Sequence, residues 1–201
     1  MAERPSQDRG VRTRQRLLDA TVACLVDHGY AGTTMQRVQI EARVSRGALV
    51  HHFASMDELL VGAIHHVAQR QLDELRLAFA SLGDGVDERA RSVRLLHSFM
   101  SGPLFLAGLE LWMAARTNPS LRTALAPVER ELGREIRAVI AGETVNTGCL
   151  EPPDLDELLV VLRGLAITSV LRPVPDLEIR LIERWSARVW QVRTKRHAVR
   201  R

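Results

Sequence analysis

Lysine is nearly missing from this chain: of 28 basic residues in 201, all but Lys195 are arginine. Its basic chemistry is therefore that of a planar, permanently charged fork, a bias that a GC-rich genome would also give. Cysteine is scarce as well. Cys24 and Cys149 cannot build a disulfide framework and lack the paired spacing of a zinc site, so a reducing setting is expected. No apolar run reaches the length of a membrane span, and the start "MAERPSQDRGVRTR" is polar and basic rather than an apolar signal core. A soluble, cytoplasmic protein without membrane contact is expected. There is no glycine-rich phosphate loop and no nucleophile motif, and the pairs Asp73-Glu74 and Asp156-Glu157 read as ordinary charged helix faces. Neither an enzyme nor a cofactor is expected. The neighbouring histidines His51-His52 and His65-His66 would lie about 100° apart on a helix, with no acid or cysteine at a four-residue offset to complete a metal site.

What is present is unevenly distributed. Residues 1–52 hold 8 arginines against 5 carboxylates, residues 53–187 hold 14 against 19, and residues 188–201 hold 6 basic groups against none. Basic ends thus flank an acidic body. A basic first segment suits phosphate binding, because neutralised phosphates release condensed counterions; a solvated surface would have the same composition. The tail "RTKRHAVRR" reads as a solubilising end.

Along the chain helix follows helix, with no convincing strand. In "RTRQRLLDATVACLVDHG" Leu17, Thr21, Cys24, Leu25 and His28 recur at three and four, and Gly29 is a natural stop. "TTMQRVQIEA" begins at a threonine cap and keeps Met35, Val38 and Ala42 on one face. "SRGALVHHF" begins at another cap, Ser45, and is about two turns long. Ser55 and Glu58 then form a capping box, after which Leu60, Ile64, Val67, Gln71, Leu75 and Phe79 run along one stripe to "GDG" at 83–85. Such a helix is roughly 40 Å long. Further helices are expected over 87–100, 104–116 and 119–143, the last bent near Pro127. Asp154 and Glu157 are expected to cap "LDELLVVLRGLAITSVLR", and "PVPD" separates it from "LEIRLIERWSARVWQV".

The stretch "GYAGTTMQRVQIEARVSRGALVHHFASMDELL", residues 29–60, resembles the DNA-binding domain of the tetracycline-repressor (TetR) family, matching its pattern at Gly29, Tyr30, Thr33, Thr34, Val44, Ser45, Gly47, Leu49, His52 and Phe53. "LELWMAARTNPSLRTALAP" is similar to a helix-and-turn phrase of many members. Gln39, Arg43, Val50 and Met56 depart from the usual Ala, Gly, Tyr and Lys. The missing Lys and Tyr remove two phosphate contacts that arginines would have to supply.

The resemblance implies an all-α fold: a three-helix helix-turn-helix domain over 1–53, joined by a long helix to a ligand-binding and dimerisation domain over 54–201. Independently of the family, a short helix pinned at Ser45 can enter the major groove. Arg46 suits a bidentate contact to guanine, Ala48 and Val50 suit thymine methyls, and His51 suits a base or phosphate. Gly47 would admit close backbone approach, and His52, Arg12, Arg14 and Arg43 are candidates for phosphate. Thr33 and Thr34 are read as caps that add a phosphate contact at the helix start. Phe99, Met100, Phe105, Leu109, Trp112 and Met113 are candidates for an apolar effector pocket or for plain core. Leu158, Leu162, Leu165, Ile182, Trp185 and Val189 are the expected homodimer interface. The reading is a repressor that a largely apolar small molecule releases from a palindromic operator in double-stranded DNA. The alternatives are a dimeric sensor with weakened or lost DNA binding, and a helical enzyme acting on small molecules.

Overall fold

The computed structural model describes residues 4–81, 86–147, 152–173, 176–185 and 187. Among the described residues there are only helices and their connections. These are α1 (Arg4–Gly32), α2 (Met35–Ala42), α3 (Arg46–His52), α4 (Met56–Ala80), α5 (Val86–Ser101), α6 (Pro103–Ala115), α7 (Pro119–Thr147) and α8 (Pro152–Leu171). We label residues 176–185 α9; Val189, Cys149 and the basic tail lie outside the described residues. No single helix is long and apolar enough to cross a membrane.

The helix starts follow local chemistry. The Thr34 hydroxyl accepts the Arg37 N–H and the Ser45 hydroxyl accepts the Ala48 N–H, each satisfying one donor that the first turn leaves unpaired. Ser55 Oγ accepts the Glu58 N–H at 3.1 Å, while the Glu58 carboxylate reaches past Ser55 to the Ala54 N–H at 2.9 Å. Asn118 Oδ1 accepts the Leu121 N–H ahead of α7, and Pro119 fills a first-turn position whose N–H would have no partner anyway. One expectation about boundaries needs correction. α8 starts at Pro152, so Asp154 lies inside its first turn rather than capping it. α7 runs as one helix with Pro127 inside it.

Packing groups the chain into two compact units, Met1–Arg70 with Pro103–Gly133, and Gln71–Gly102 with Arg134–Arg201. This grouping does not follow the boundary at residue 53 that the resemblance implies. In the first unit Leu17, Leu18 and Cys24 of α1 meet Val38 and Ala42 of α2, Leu49 of α3, Phe53, and Leu59 and Ala63 of α4. A neighbouring cluster joins Leu25, Leu60, Val61 and Ile64 to Ala107, Leu111 and Ala115 of α6 and to Leu121 and Leu125 of α7. Each fully buried leucine contributes about 2 kcal/mol on transfer from water, so these clusters fix the angle at which α3 leaves the body of the unit. In the second unit α5 packs on α8, with Val93, Leu96, Met100, Leu158, Leu159, Leu162, Ile182 and Trp185 buried. Arg76–Glu135 and Arg137–Asp156 pair on its periphery, and His97–Glu178 pair at 3.3 Å with both side chains mostly buried.

Candidate nucleic-acid interface

The geometry of the reading head begins with a turn that lacks its glycine. α2 ends at Arg43, whose φ of 52° and ψ of 49° place an arginine in the left-handed region. Its N–H donates to Ile40 O at 3.1 Å and the next amide, Val44 N–H, donates to Gln39 O at 3.2 Å. This pair of bonds closes the helix in the Schellman pattern, where glycine is the usual residue because it has no Cβ to clash. The carbonyls of Ala42 and Arg43 both accept from Nη2 of Arg16 on α1, the second at 3.1 Å.

Beyond the turn, Ser45 caps α3, and the helix presents Arg46, Gly47, Val50 and His51 to solvent, with Val50 56% exposed. These four fall within one arc of the helix, opposite the buried Leu49. A Cβ on Gly47 would meet nothing within 4 Å, so the fold itself does not require glycine there. Ala48, expected beside Val50, is half-buried on the flank. Arg12, Arg14, Thr34, Arg43 and Ser45 are exposed. Arg14 also lies over the Phe53 ring, 5.2 Å from its centroid, a cation–π contact that orients the guanidinium along the head. His52 is half-buried, with its ring edge-on to His51 at 5.3 Å. Burial first, then the neighbouring His51 and Arg14 charges, hold its pKa below the ordinary imidazole value.

Thr33 departs from the expected role. It is buried, and its hydroxyl donates to Gly29 O at 2.7 Å, so it braces the end of α1 rather than facing a phosphate. Spacing does not reveal three residues that matter. Arg16 is one. Glu110 accepts the Tyr30 N–H at 2.6 Å, and Asn118 donates to Asp57 at 3.4 Å, so the "LELWMAARTNPSL" phrase is fastened both to the end of α1 and to the start of α4.

A family profile described as "Bacterial regulatory proteins, tetR family" matches residues 17–63, the span from Leu17 through the capped α3 into α4. Over that span the chain matches the tetR family. Relatives of similar length agree with the match. The HTH-type transcriptional regulator CymR of Pseudomonas putida is 28% identical over 83% of this chain and 84% of its own. The HTH-type transcriptional repressor AcnR of Corynebacterium efficiens is 28% identical over 67% of each. The multidrug binding protein EbrR, solved with ethidium, superposes with a TM-score of 0.66 at 25% identity, covering 86% of this chain and 97% of its own. The chain is thus a DNA-binding transcriptional regulator, and its relatives are regulators rather than enzymes. Among the described residues no group of three metal-ligating side chains comes together.

The other expected sites fare unevenly. Phe105, Leu109 and Trp112 lie half-buried on α6 in the first unit, where Trp112 packs on the Leu111–Leu121 cluster. Met113 is 66% exposed and points away from that cluster, because it follows Trp112 by one helical step; it does not line a pocket in this unit. Phe99 and Met100 belong to the second unit, and Met100 is fully buried there. Leu158, Leu162, Ile182 and Trp185 are buried within their own chain, which corrects their assignment to a surface that a second copy would cover, whereas Leu165 is half-buried. Beside Asp156, Glu157 and Arg163, α8 carries apolar residues on nearly every face, so its sequence does not tell the inner stripe from the outer one. The stripe it exposes is Val160, Gly164, Ile167 and Leu171, at the four- and three-residue steps of a single face.

Proposed function

We propose that this regulator is a homodimeric repressor that α3 seats in the major groove of a palindromic operator, and that a small, largely apolar molecule releases it. The exposed row Arg46, Gly47, Val50 and His51 on a helix pinned by Ser45 is the observation that carries the reading. One guanidinium, one open backbone position and one β-branched methyl pair offer a guanine contact, close approach and a thymine-methyl contact within two turns. Arg12, Arg14, Thr34, Arg43 and His52 flank this row as phosphate contacts. The half-buried face Phe105, Leu109 and Trp112 is the proposed effector-facing part of α6.

A second copy fits on the exposed stripe Val160, Gly164, Ile167 and Leu171, where a Cβ on Gly164 would meet nothing within its own chain. A dimer supplies the two reading heads that a palindromic operator, with half-sites about 34 Å apart, requires. Release requires the effector to prefer the DNA-incompetent arrangement, since equal affinity for both shifts nothing. The repressor naming of AcnR and the ethidium complex of EbrR support this sense of regulation and this class of effector. Selection of bound duplexes from a random-sequence pool tests the DNA half of the reading, with a two-fold symmetric consensus as the expected result, and titration of the DNA-free protein with ethidium, kept apart from duplexes because the dye intercalates, tests the effector half. No enrichment of any sequence, or no binding of the dye, would overturn the corresponding half.

A further inference from the structure

α2 ends on an arginine where a left-handed turn ordinarily demands glycine, and a second arginine, 27 residues earlier, reaches that same turn. The Schellman bonds satisfy the carbonyls of Gln39 and Ile40 only. Beyond Glu41, Ala42 O is the last carbonyl of α2, at the negative end of its dipole, and Arg43 O belongs to the turn itself. Arg16 Nη2 donates to both. A charge-assisted bond of this kind is roughly twice as strong as a neutral one, and here a single nitrogen bridges the two peptide units on either side of the strained residue. We propose that Arg16 is a positioning residue: it holds the left-handed turn at Arg43, and so lets that position carry a DNA-facing cation instead of glycine. Its own charge is directed at backbone rather than at phosphate.

The inference rests on the DNA-binding reading, and its direct readout does not require DNA. Without Arg16 the turn is free to relax from its positive φ, so amide hydrogen exchange at Arg43 and Val44 in the DNA-free protein should accelerate in Arg16→Ala. It should accelerate much less when Arg43→Gly is also present, because glycine occupies that region without strain. Unchanged exchange in Arg16→Ala, or equal acceleration in both backgrounds, would overturn the assignment.

On a duplex selected by the wild-type protein, Arg16→Ala should bind about tenfold more weakly, the loss expected for one charge-assisted hydrogen-bonding group. The slope of log affinity against log salt should stay unchanged, whereas Arg43→Gly should flatten it by about 0.9, as when one phosphate is no longer neutralised. The double variant should bind no worse than Arg43→Gly alone. A flatter slope in Arg16→Ala would make Arg16 a phosphate ligand and overturn the proposal. If Arg16→Ala fails to fold, Arg16→Lys keeps a cation near the carbonyls and should give the same pattern at smaller amplitude; additive losses with Arg43→Gly would again overturn it. Failure of the wild-type protein to select any duplex would count against the DNA reading alone, since the exchange measurement stands without it.

Discussion

The Glu110 carboxylate packs directly on Gly29: a Cβ built on that glycine would lie 2.8 Å from Glu110 Oε2. Gly29 has φ 66° and ψ −179°, a region open in practice to glycine alone, and it breaks α1 so that the next amide, Tyr30 N–H, can donate to Glu110. Conformation and space therefore both exclude a side chain. Gly29→Ala should destabilise the first unit by about 2 kcal/mol or more, the range for a strained backbone plus a steric shift. In a Glu110→Ala background the cost should fall by the steric part only. Urea denaturation of the four proteins separates the two contributions, and equal costs in both backgrounds would remove Glu110 from the account.

Arg46 stands one residue after the Ser45 cap and is exposed, at the point of α3 that enters a groove first. Arg46→Ala should lower affinity for a selected duplex by roughly 1 to 3 kcal/mol and relax preference at one position in each half-site. Repeating the selection with the variant checks both effects. An unchanged consensus with weaker binding would reassign Arg46 to phosphate.

His52 gives the reading head a pH dependence whose sign can be fixed in advance. Burial, then His51, then Arg14 lower its pKa from the ordinary 6.5, so in the window just below that value the unfolded chain binds more protons than the folded one. The stability it contributes is present above 6.5 and is lost as pH falls through that window toward the folded value. A phosphate laid against the ring favours the charged form instead. Operator binding should then take up a proton and strengthen as pH falls from about 8 to about 6, the range in which imidazoles titrate. Fluorescence anisotropy across that range should show a shallower dependence for His52→Gln, and an identical profile would place His52 away from the DNA.

The parts of this architecture that are legible in sequence are those set within a few residues. Thr34, Ser45 and the Ser55–Glu58 pair act on amides three or four positions away, so type and spacing suffice to find them. Arg16 acts on a turn 26 and 27 residues distant, and Glu110 on an amide 80 residues distant; no local pattern marks either. Arg43 shows the intermediate case. Its departure from glycine is visible, but its consequence depends on which side chain reaches the turn. In α8 the obstacle is different: with apolar residues on nearly every face, periodicity gives no direction, and only packing separates Leu158 and Leu162 inside from Val160 and Ile167 outside.

That separation makes the dimer testable without disturbing the fold. Ile167 is 57% exposed and Leu171 is 88% exposed, so charges placed there meet water in the monomer but would be buried unpaired between two copies. Ile167→Glu with Leu171→Glu should leave the thermal midpoint of the monomer nearly unchanged while sedimentation shows loss of the dimer. Trp185→Ala should do the opposite, lowering stability by about 3 to 5 kcal/mol through the cavity it leaves. A dimer that survives both glutamates would remove α8's outer face from the interface.

Trp112 decides whether α6 is chiefly wall or chiefly core. It follows Phe105 by seven residues and Leu109 by three, so the three share a face, and each is half-buried. Trp112 nevertheless packs on the cluster that ties Leu25 and Leu60 to Leu111 and Leu121, so part of its ring replaces core volume and part does not. Trp112→Leu should therefore lower the stability of the first unit by about 2 kcal/mol, less than full loss of a buried indole because leucine refills some of the space. Phe105, nearer the start of α6, is absent from that cluster, so Phe105→Ala should cost less than about 2 kcal/mol, in keeping with burial of half a ring. If the shared face meets the effector, both variants should weaken ethidium binding to the DNA-free protein, while Met113→Ala, on the exposed side, should not. Denaturation midpoints measured beside that titration distinguish the roles: destabilisation with unchanged ethidium binding in both variants would make this face core, and the effector would have to be sought elsewhere in the chain.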